Sequence, residues 1–277
     1  MPLDYLVLRS LRRLVPPAVM STLVRRRIFL TSGEETRAPE AAAERFCASL
    51  AGAGRGVAGT TALILGYGGR FSLGVELLRR GVHHVVLLDP YATVDERTNL
   101  ALAGRASLYL HARNGHAAPN PDYISLVHEP IERYVESGAP QVDLVLSTSV
   151  LEHVDAPESV VSHIARLTKP DGYHVHLIDL RDHYFKYPFE MLCHGEAAWR
   201  RYLNPPTNLN RLRIWEYEAL FGRYFEKVSW EPVRTDVAAF RRARPRIEPR
   251  FLSGDERLDA VTIIALHAAQ PRQDARG

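Results

Sequence analysis

With 277 residues, 46% of them apolar and 24% charged, the chain has the composition of one large globular domain with additions rather than a disordered or fibrous protein. Cys47 and Cys193 lie far apart with neither CxxC nor zinc spacing, which argues against a disulfide scaffold and for a reduced, cytoplasmic setting. The net charge of +3 divides into +5 over residues 1–30 (six arginines against Asp4) and −2 elsewhere, and the N-terminus lacks both a membrane-length apolar run and the layout of a signal peptide.

In chain order, Leu3, Leu6, Val7, Leu11, Leu14 and Val15 have helical spacing with arginines opposite, and Pro16-Pro17 stops the pattern. A second short helix is expected at 20–30, a linker from Thr31 to Pro39, and an alanine-rich helix from Glu40 to Leu50. Residues 1–55 therefore read as a helical extension packed over a cleft or sheet edge, with peripheral membrane contact or dimerisation as alternatives.

The most informative stretch follows. Ala62 to Leu65 is an apolar strand that runs into Gly66-Tyr67-Gly68-Gly69, and Leu73, Val75, Leu77 and Leu78 then mark one face of a helix. A strand, a glycine turn and a helix start present backbone N–H groups to a nucleotide-like ligand. His84 to Leu88 is a second strand, and it ends at Asp89, 23 residues after Gly66, where a carboxylate meets ribose hydroxyls.

Further strands are expected at 123–127, 143–147 and 173–180, with helices at 71–80, 93–103, 129–137 and 156–168. This alternation implies an α/β fold, a doubly wound and mostly parallel sheet with the ligand at the carboxyl ends of its strands. Gly66, Asp89, Ser147 and Ser149 fall at those ends. Residues 183–209, rich in Tyr, Phe and Trp, read as an inserted lid on the acceptor side, followed by a helix at 210–222. Two late strands, 226–233 and 258–267, flank an arginine-rich loop from Arg241 to Arg250. That loop is either solvated surface or an anion-attracting rim. Neither a readout helix nor aromatics accompany the arginines, so nucleic acid is not expected.

Val142 to Val154 reads Val-Asp-Leu-Val-Leu-Ser-Thr-Ser-Val-Leu-Glu-His-Val, and Lys169-Pro170-Asp171-Gly172 forms a tight turn before the next strand. With the glycine turn and Asp89, these segments resemble the class I S-adenosylmethionine-dependent methyltransferases over roughly residues 60 to 182. The resemblance implies a seven-stranded Rossmann-like sheet in a domain spanning 56–277, with S-adenosyl-L-methionine as cofactor and a methyl group moved to oxygen or nitrogen. The late strand pair matches the family's antiparallel sixth and seventh strands. Gly66, Tyr67, Gly68, Gly69 and Asp89 would hold the cofactor with Ser147 and Ser149, and Glu129 would approach the adenine amino group. Two departures stand out: Ile64 replaces an acid that often precedes the turn, and Pro130 has no N–H, so the backbone donor to adenine comes from Ile131 or is absent. Arg70, in the third glycine position of a dinucleotide fingerprint, is consistent with a cofactor that has no pyrophosphate.

For a catalytic base the candidates are His153, Asp182 and His183. Asp182-His183 directly follows the fifth core strand, where a carboxylate beside a histidine can hold its tautomer. The twelve histidines show no ligand spacing, so no metal is expected. The acceptor reads as a small molecule or glycan, with an anionic one favoured if the arginines are a rim. Two other readings remain: a nicotinamide-dependent Rossmann oxidoreductase, and a non-catalytic methyltransferase-like binding subunit.

Overall fold

The structure, a computed structural model, describes Tyr5, Arg9 and residues 38–184, 186–205 and 208–273. Apart from Tyr5 and Arg9, both helical, the two helices expected within residues 1–30 lie outside the described residues. The elements run α1 (Pro39–Gly52), β1 (Thr61–Leu65), α2 (Ser72–Arg79), β2 (His84–Leu88), α3 (Glu96–Ala103), β3 (Leu110–Arg113), β4 (His116–Pro119) and β5 (Ile124–Val127). They continue with α4 (Ile131–Glu136), β6 (Val142–Thr148), α5 (Pro157–Arg166), β7 (Thr168–Asp179), α6 (Ile214–Gly222), β8 (Phe225–Thr235), α7 (Val237–Ala243) and β9 (Val261–Pro271).

Seven strands form one sheet in the order β5-β2-β1-β6-β7-β9-β8. Only β9 runs against its neighbours, pairing antiparallel with both β7 and β8. Register aligns the strand ends: Leu65 sits beside Leu88 on one side and Ser147 on the other, and Leu88 beside Val127. The glycine turn, Asp89 and the residues after β5 and β6 therefore emerge along one edge.

Helices cover both faces, which explains the near-continuous apolar strands. Alternation sends Ile64, Leu144 and Leu146 to the face under α1 and α2, with Phe46, Leu50 and Val75. Leu63, Leu65 and Val145 go to the opposite face, packed with Val161, Ile164, Tyr217 and Phe221 from α5 and α6. A third, smaller core joins Phe189, Leu192, Trp199 and Leu209 of the segment after β7 to Phe240, Ala243 and Phe251 of the β8–β9 connection.

Two local features differ from the sequence expectation. Residues 110–119 form a separate hairpin, β3–β4, turned by Asn114 and Gly115, both in the left-handed region (φ 51° and 78°). Lys169 to Gly172 is an excursion inside β7 rather than a turn ahead of it. The β6–β7 register steps from Val142↔Thr168 to Leu144↔Tyr173, so extra residues leave the ladder there. Lys169 Nζ closes the excursion on the Asp143 carboxylate, at 2.8 and 2.9 Å, and Asp143 also accepts from the Thr61 N–H at 2.8 Å.

Candidate active site

The turn after β1 requires glycine on two separate grounds. Gly66 (φ 77°) and Gly69 (φ 80°) lie in the left-handed region. A Cβ on Gly66 would meet Val150 Cγ2 at 2.3 Å, and one on Gly69 would meet the Thr93 carbonyl oxygen at 2.0 Å. Gly68 (φ 63°) has open space at that position. The turn is held from below by Asn99, fully buried on α3. Its side-chain N–H donates to the Gly69 carbonyl at 2.9 Å, and its oxygen accepts from the Phe71 N–H at 3.0 Å. Asp95 N–H donates to the same carbonyl at 2.9 Å, and the Asp95 carboxylate pairs with Arg70 at 3.0 Å. Arg70, at the third glycine position, thus serves as a brace for the turn.

Asp89 joins this turn. One carboxylate oxygen accepts from Gly68 N–H at 3.1 Å and the other from Tyr91 N–H at 2.9 Å. Each oxygen keeps a second lone pair for a ligand hydroxyl. Tyr67 reaches across the cleft, its hydroxyl 2.6 Å from His128 Nε2 and its ring stacked on the imidazole. Burial, helped by the Asp89 charge, pushes the Tyr67 phenol up to about 12, so it stays neutral. Tyr67 therefore ties the turn to the loop that carries Glu129. Glu129 is half-buried there, and Ile131 begins α4, where its N–H has no intrahelical acceptor.

Both serines are drawn elsewhere than the sequence suggests. Ser147 is buried and its hydroxyl lies 2.7 Å from His176 Nδ1, its register partner on β7. That histidine continues a buried chain, with His176 Nε2 3.2 Å from His174 Nδ1 and His174 Nε2 2.7 Å from the Thr168 hydroxyl. Burial holds His174 well below the usual histidine range and His176 at about 3. Ser149 takes φ 51°, and its hydroxyl bonds to the Glu152 carboxylate.

The expected Asp182–His183 partnership is not made. Adjacent residues point apart here, and Asp182 is fully buried against the N-terminal segment. Its carboxylate accepts from Tyr5 at 2.5 Å, pairs with Arg9 and accepts from Tyr184 N–H at 2.9 Å. Asp182 is an anchor for Tyr5 and Arg9. His183 meets His153 instead, with ring centroids 4.7 Å apart at 68°. Burial, then the His153 charge, lowers His183 to about 4, so it is neutral at physiological pH. His153 Nδ1 donates to the Asn208 carbonyl at 2.8 Å, and Asn208 returns a bond to the His153 carbonyl at 3.1 Å. Glu152 is 3% exposed beside them, its carboxyl held well above the usual range first by burial and then by the Asp179 charge. Ligand atoms of Glu152, His153 and His183 all lie within 4.8 Å of one another. Neighbouring sequence positions gave no hint of this cluster, because its members come from two strand ends.

The arginine-rich loop is mostly neutralised. Arg241 pairs with Glu256 at 2.6 Å, Arg246 with Glu190 at 2.5 Å and Arg250 with Glu196 at 2.6 Å.

Comparison with known proteins identifies this arrangement. The profile of the methyltransferase-domain family matches residues 51–234. The chain belongs to that family. A 49-residue stretch is 43% identical to the ubiquinone biosynthesis O-methyltransferase of Salmonella paratyphi A, and the match spans 18% of this chain and 20% of that relative's length. Among solved structures, a provisionally named sarcosine dimethylglycine methyltransferase from Galdieria sulphuraria shares the fold at a TM-score of 0.51, with 16% identity over 87% of this chain and 91% of that one. The Burkholderia thailandensis 1,6-didemethyltoxoflavin-N1-methyltransferase, solved with its substrate and S-adenosylhomocysteine, aligns at 17% identity over 94% and 92%, with a TM-score of 0.48. The methyltransferase's cofactor is S-adenosyl-L-methionine. The open space at Gly68, with the Asp89 carboxylate beside it, fits that group. The family match sets aside the oxidoreductase reading. Among the described residues, no helix is long and apolar enough to cross a membrane.

Proposed function

We propose that this methyltransferase moves the methyl group to an oxygen or nitrogen of a small-molecule or glycan acceptor. In this reading Gly66, Gly68, Asp89, Glu129 and Ile131 hold the cofactor, while His153 and His183 receive the acceptor. The observation that carries it is the His153–His183 contact at the ends of β6 and β7, three residues along from Val150, which touches Gly66. Asn208, from the segment after β7, bonds His153, and Trp199 and Leu209 of that segment share a core of their own. We take residues 1–55 as the extension and 183–209 as the insertion that walls the acceptor side. The ion pairs of the arginine loop favour an uncharged acceptor over an anionic one.

Bound S-adenosylmethionine supplies an electrophilic methyl group whose thioether leaves without an acid, so the protein's tasks are orientation and handling of the acceptor's proton. Neutral His183 accepts a hydrogen bond from the acceptor's hydroxyl or amine and aims its lone pair at the methyl carbon. With its pKa lowered to about 4, His183 orients better than it abstracts. The test is transfer of a labelled methyl group to a panel of phenols, amines and sugars. His183→Ala should lower turnover about a hundredfold through lost orientation of the acceptor, with cofactor affinity unchanged. Wild-type turnover in the variant would remove His183 from the reaction.

A further inference from the structure

Glu152 presents a buried carboxylate oxygen, Oε2, with no hydrogen-bond partner among the described residues. Oε1 accepts from Asp179 N–H at 3.4 Å, and the carboxylate also takes hydrogen bonds from the Ser149 hydroxyl and its own backbone N–H. Removing an ionised carboxylate from water without a partner costs several kcal/mol, so this group must be protonated or matched by a cation. No arginine or lysine contact with it is present among the described residues; its near neighbours are Asp179, His153 and His183. Asp179, in turn, is engaged by Arg181 at 2.7 Å.

The two histidines are prepared in the manner of metal ligands. His153 Nδ1–H donates to the Asn208 carbonyl, which fixes the tautomer and puts the lone pair on Nε2, the arrangement that second-sphere carbonyls impose on ligating imidazoles. His183 lies against His153, with ring centroids 4.7 Å apart. The ligand atoms of all three residues lie within 4.8 Å of one another; tetrahedral bonds of ~2.0–2.2 Å would set them about 3.3–3.6 Å apart, so the side chains draw together on binding.

We propose that Glu152, His153 and His183 bind one divalent transition-metal ion at the acceptor end of the cleft. Two imidazoles and one carboxylate suit Zn²⁺, Co²⁺ or Mn²⁺ and disfavour Mg²⁺, which prefers an all-oxygen shell. Three protein ligands leave at least one coordination position for water or an acceptor oxygen. With the ion bound, the His183 lone pair is taken by the metal, and the open coordination position would receive the acceptor in place of the histidine nitrogen. The inference rests on that reading only for its purpose. Metal binding is measured without cofactor or acceptor, and so can fail while methyl transfer stands.

The experiment titrates chelator-stripped full-length protein with Zn²⁺ by calorimetry and with Co²⁺ by visible absorption. One site is expected, and Glu152→Gln and His183→Ala should each weaken it at least tenfold. The Co²⁺ ligand-field bands should shift or vanish in His183→Ala. A His111→Ala/His116→Ala control, which removes exposed hairpin histidines, should keep full affinity. If buried Glu152→Gln fails to fold by circular dichroism, the less buried His183→Ala decides. Absence of binding in the wild type, or binding that only the hairpin control weakens, overturns the proposal; so does affinity unchanged in His183→Ala.

Discussion

The two ends of the strand edge are built by different means. On the cofactor end, contacts come from backbone shape and local sequence: Gly66, Gly69 and Asp89 sit within one β1–α2–β2 unit, and Asn99 braces the turn from the next helix. On the end proposed for the acceptor, the groups come from distant places. His153 follows β6, His183 follows β7, Asn208 arrives from the insertion, and Tyr5 and Arg9 from the extension close on Asp182. A site made of backbone can be reused with many acceptors, whereas a site made of long-range side-chain contacts is specific to one chain.

The strongest way to separate the two ends is Trp199→Ala. Trp199 is 1% exposed, lies in the insertion's core and has the Arg9 and Arg211 guanidinium groups over its ring at 5.4 and 4.9 Å. Truncation should cost about 3–5 kcal/mol of stability, read by denaturant titration. In the protein that remains folded, methyl transfer should fall while S-adenosylhomocysteine affinity holds. A parallel loss of cofactor affinity would show that the ends are one unit.

The converse change is Asn99→Ala, which leaves the buried Phe71 N–H without its acceptor, at a cost of about 1–3 kcal/mol. Cofactor affinity should drop severalfold, with no change in metal or acceptor binding. Equal loss at both ends would break the comparison.

Acid sensitivity should belong to the sheet between them. His176 titrates at about 3 in the fold against ~6.5 unfolded, so the unfolded chain takes up the proton first as pH falls. The stability contributed by keeping it neutral is complete above pH ~6.5 and declines toward pH 3 by about 1.4 kcal/mol per unit. Glu152 and Asp182, both raised by burial, act in the opposite sense over the acid range. Comparing the wild type with His176→Gln isolates the histidine: urea midpoints at pH 7, 6 and 5 should fall less steeply in the variant. Identical slopes would refute the buried neutral histidine.

Much of the cofactor end was legible because its determinants are local. Strands 61–65 and 84–88 appear at the expected residues, and the glycine turn and Asp89 meet. The β3–β4 hairpin escaped although Asn114-Gly115 is its own signal, a two-residue turn between short strands that carry little apolar pattern. The partners of Ser147 and Asp182 escaped for a different reason. Register puts a histidine opposite Ser147, and the N-terminal segment arrives at Asp182 from 177 residues away, neither of which a local window can contain. The Glu152–His153–His183 cluster has the same origin, since only closure of β6 beside β7 brings it together.

The account turns on Asp89 and the turn it faces, and titrating S-adenosylhomocysteine into the wild type and Asp89→Ala tests it most directly. Charge-assisted hydrogen bonds contribute about 1.5–3 kcal/mol each, so the variant should bind at least tenfold more weakly at unchanged melting temperature. Equal affinity in the two proteins would contradict the assignment of Asp89 to the ribose, and with it the cofactor pose on which the acceptor side depends.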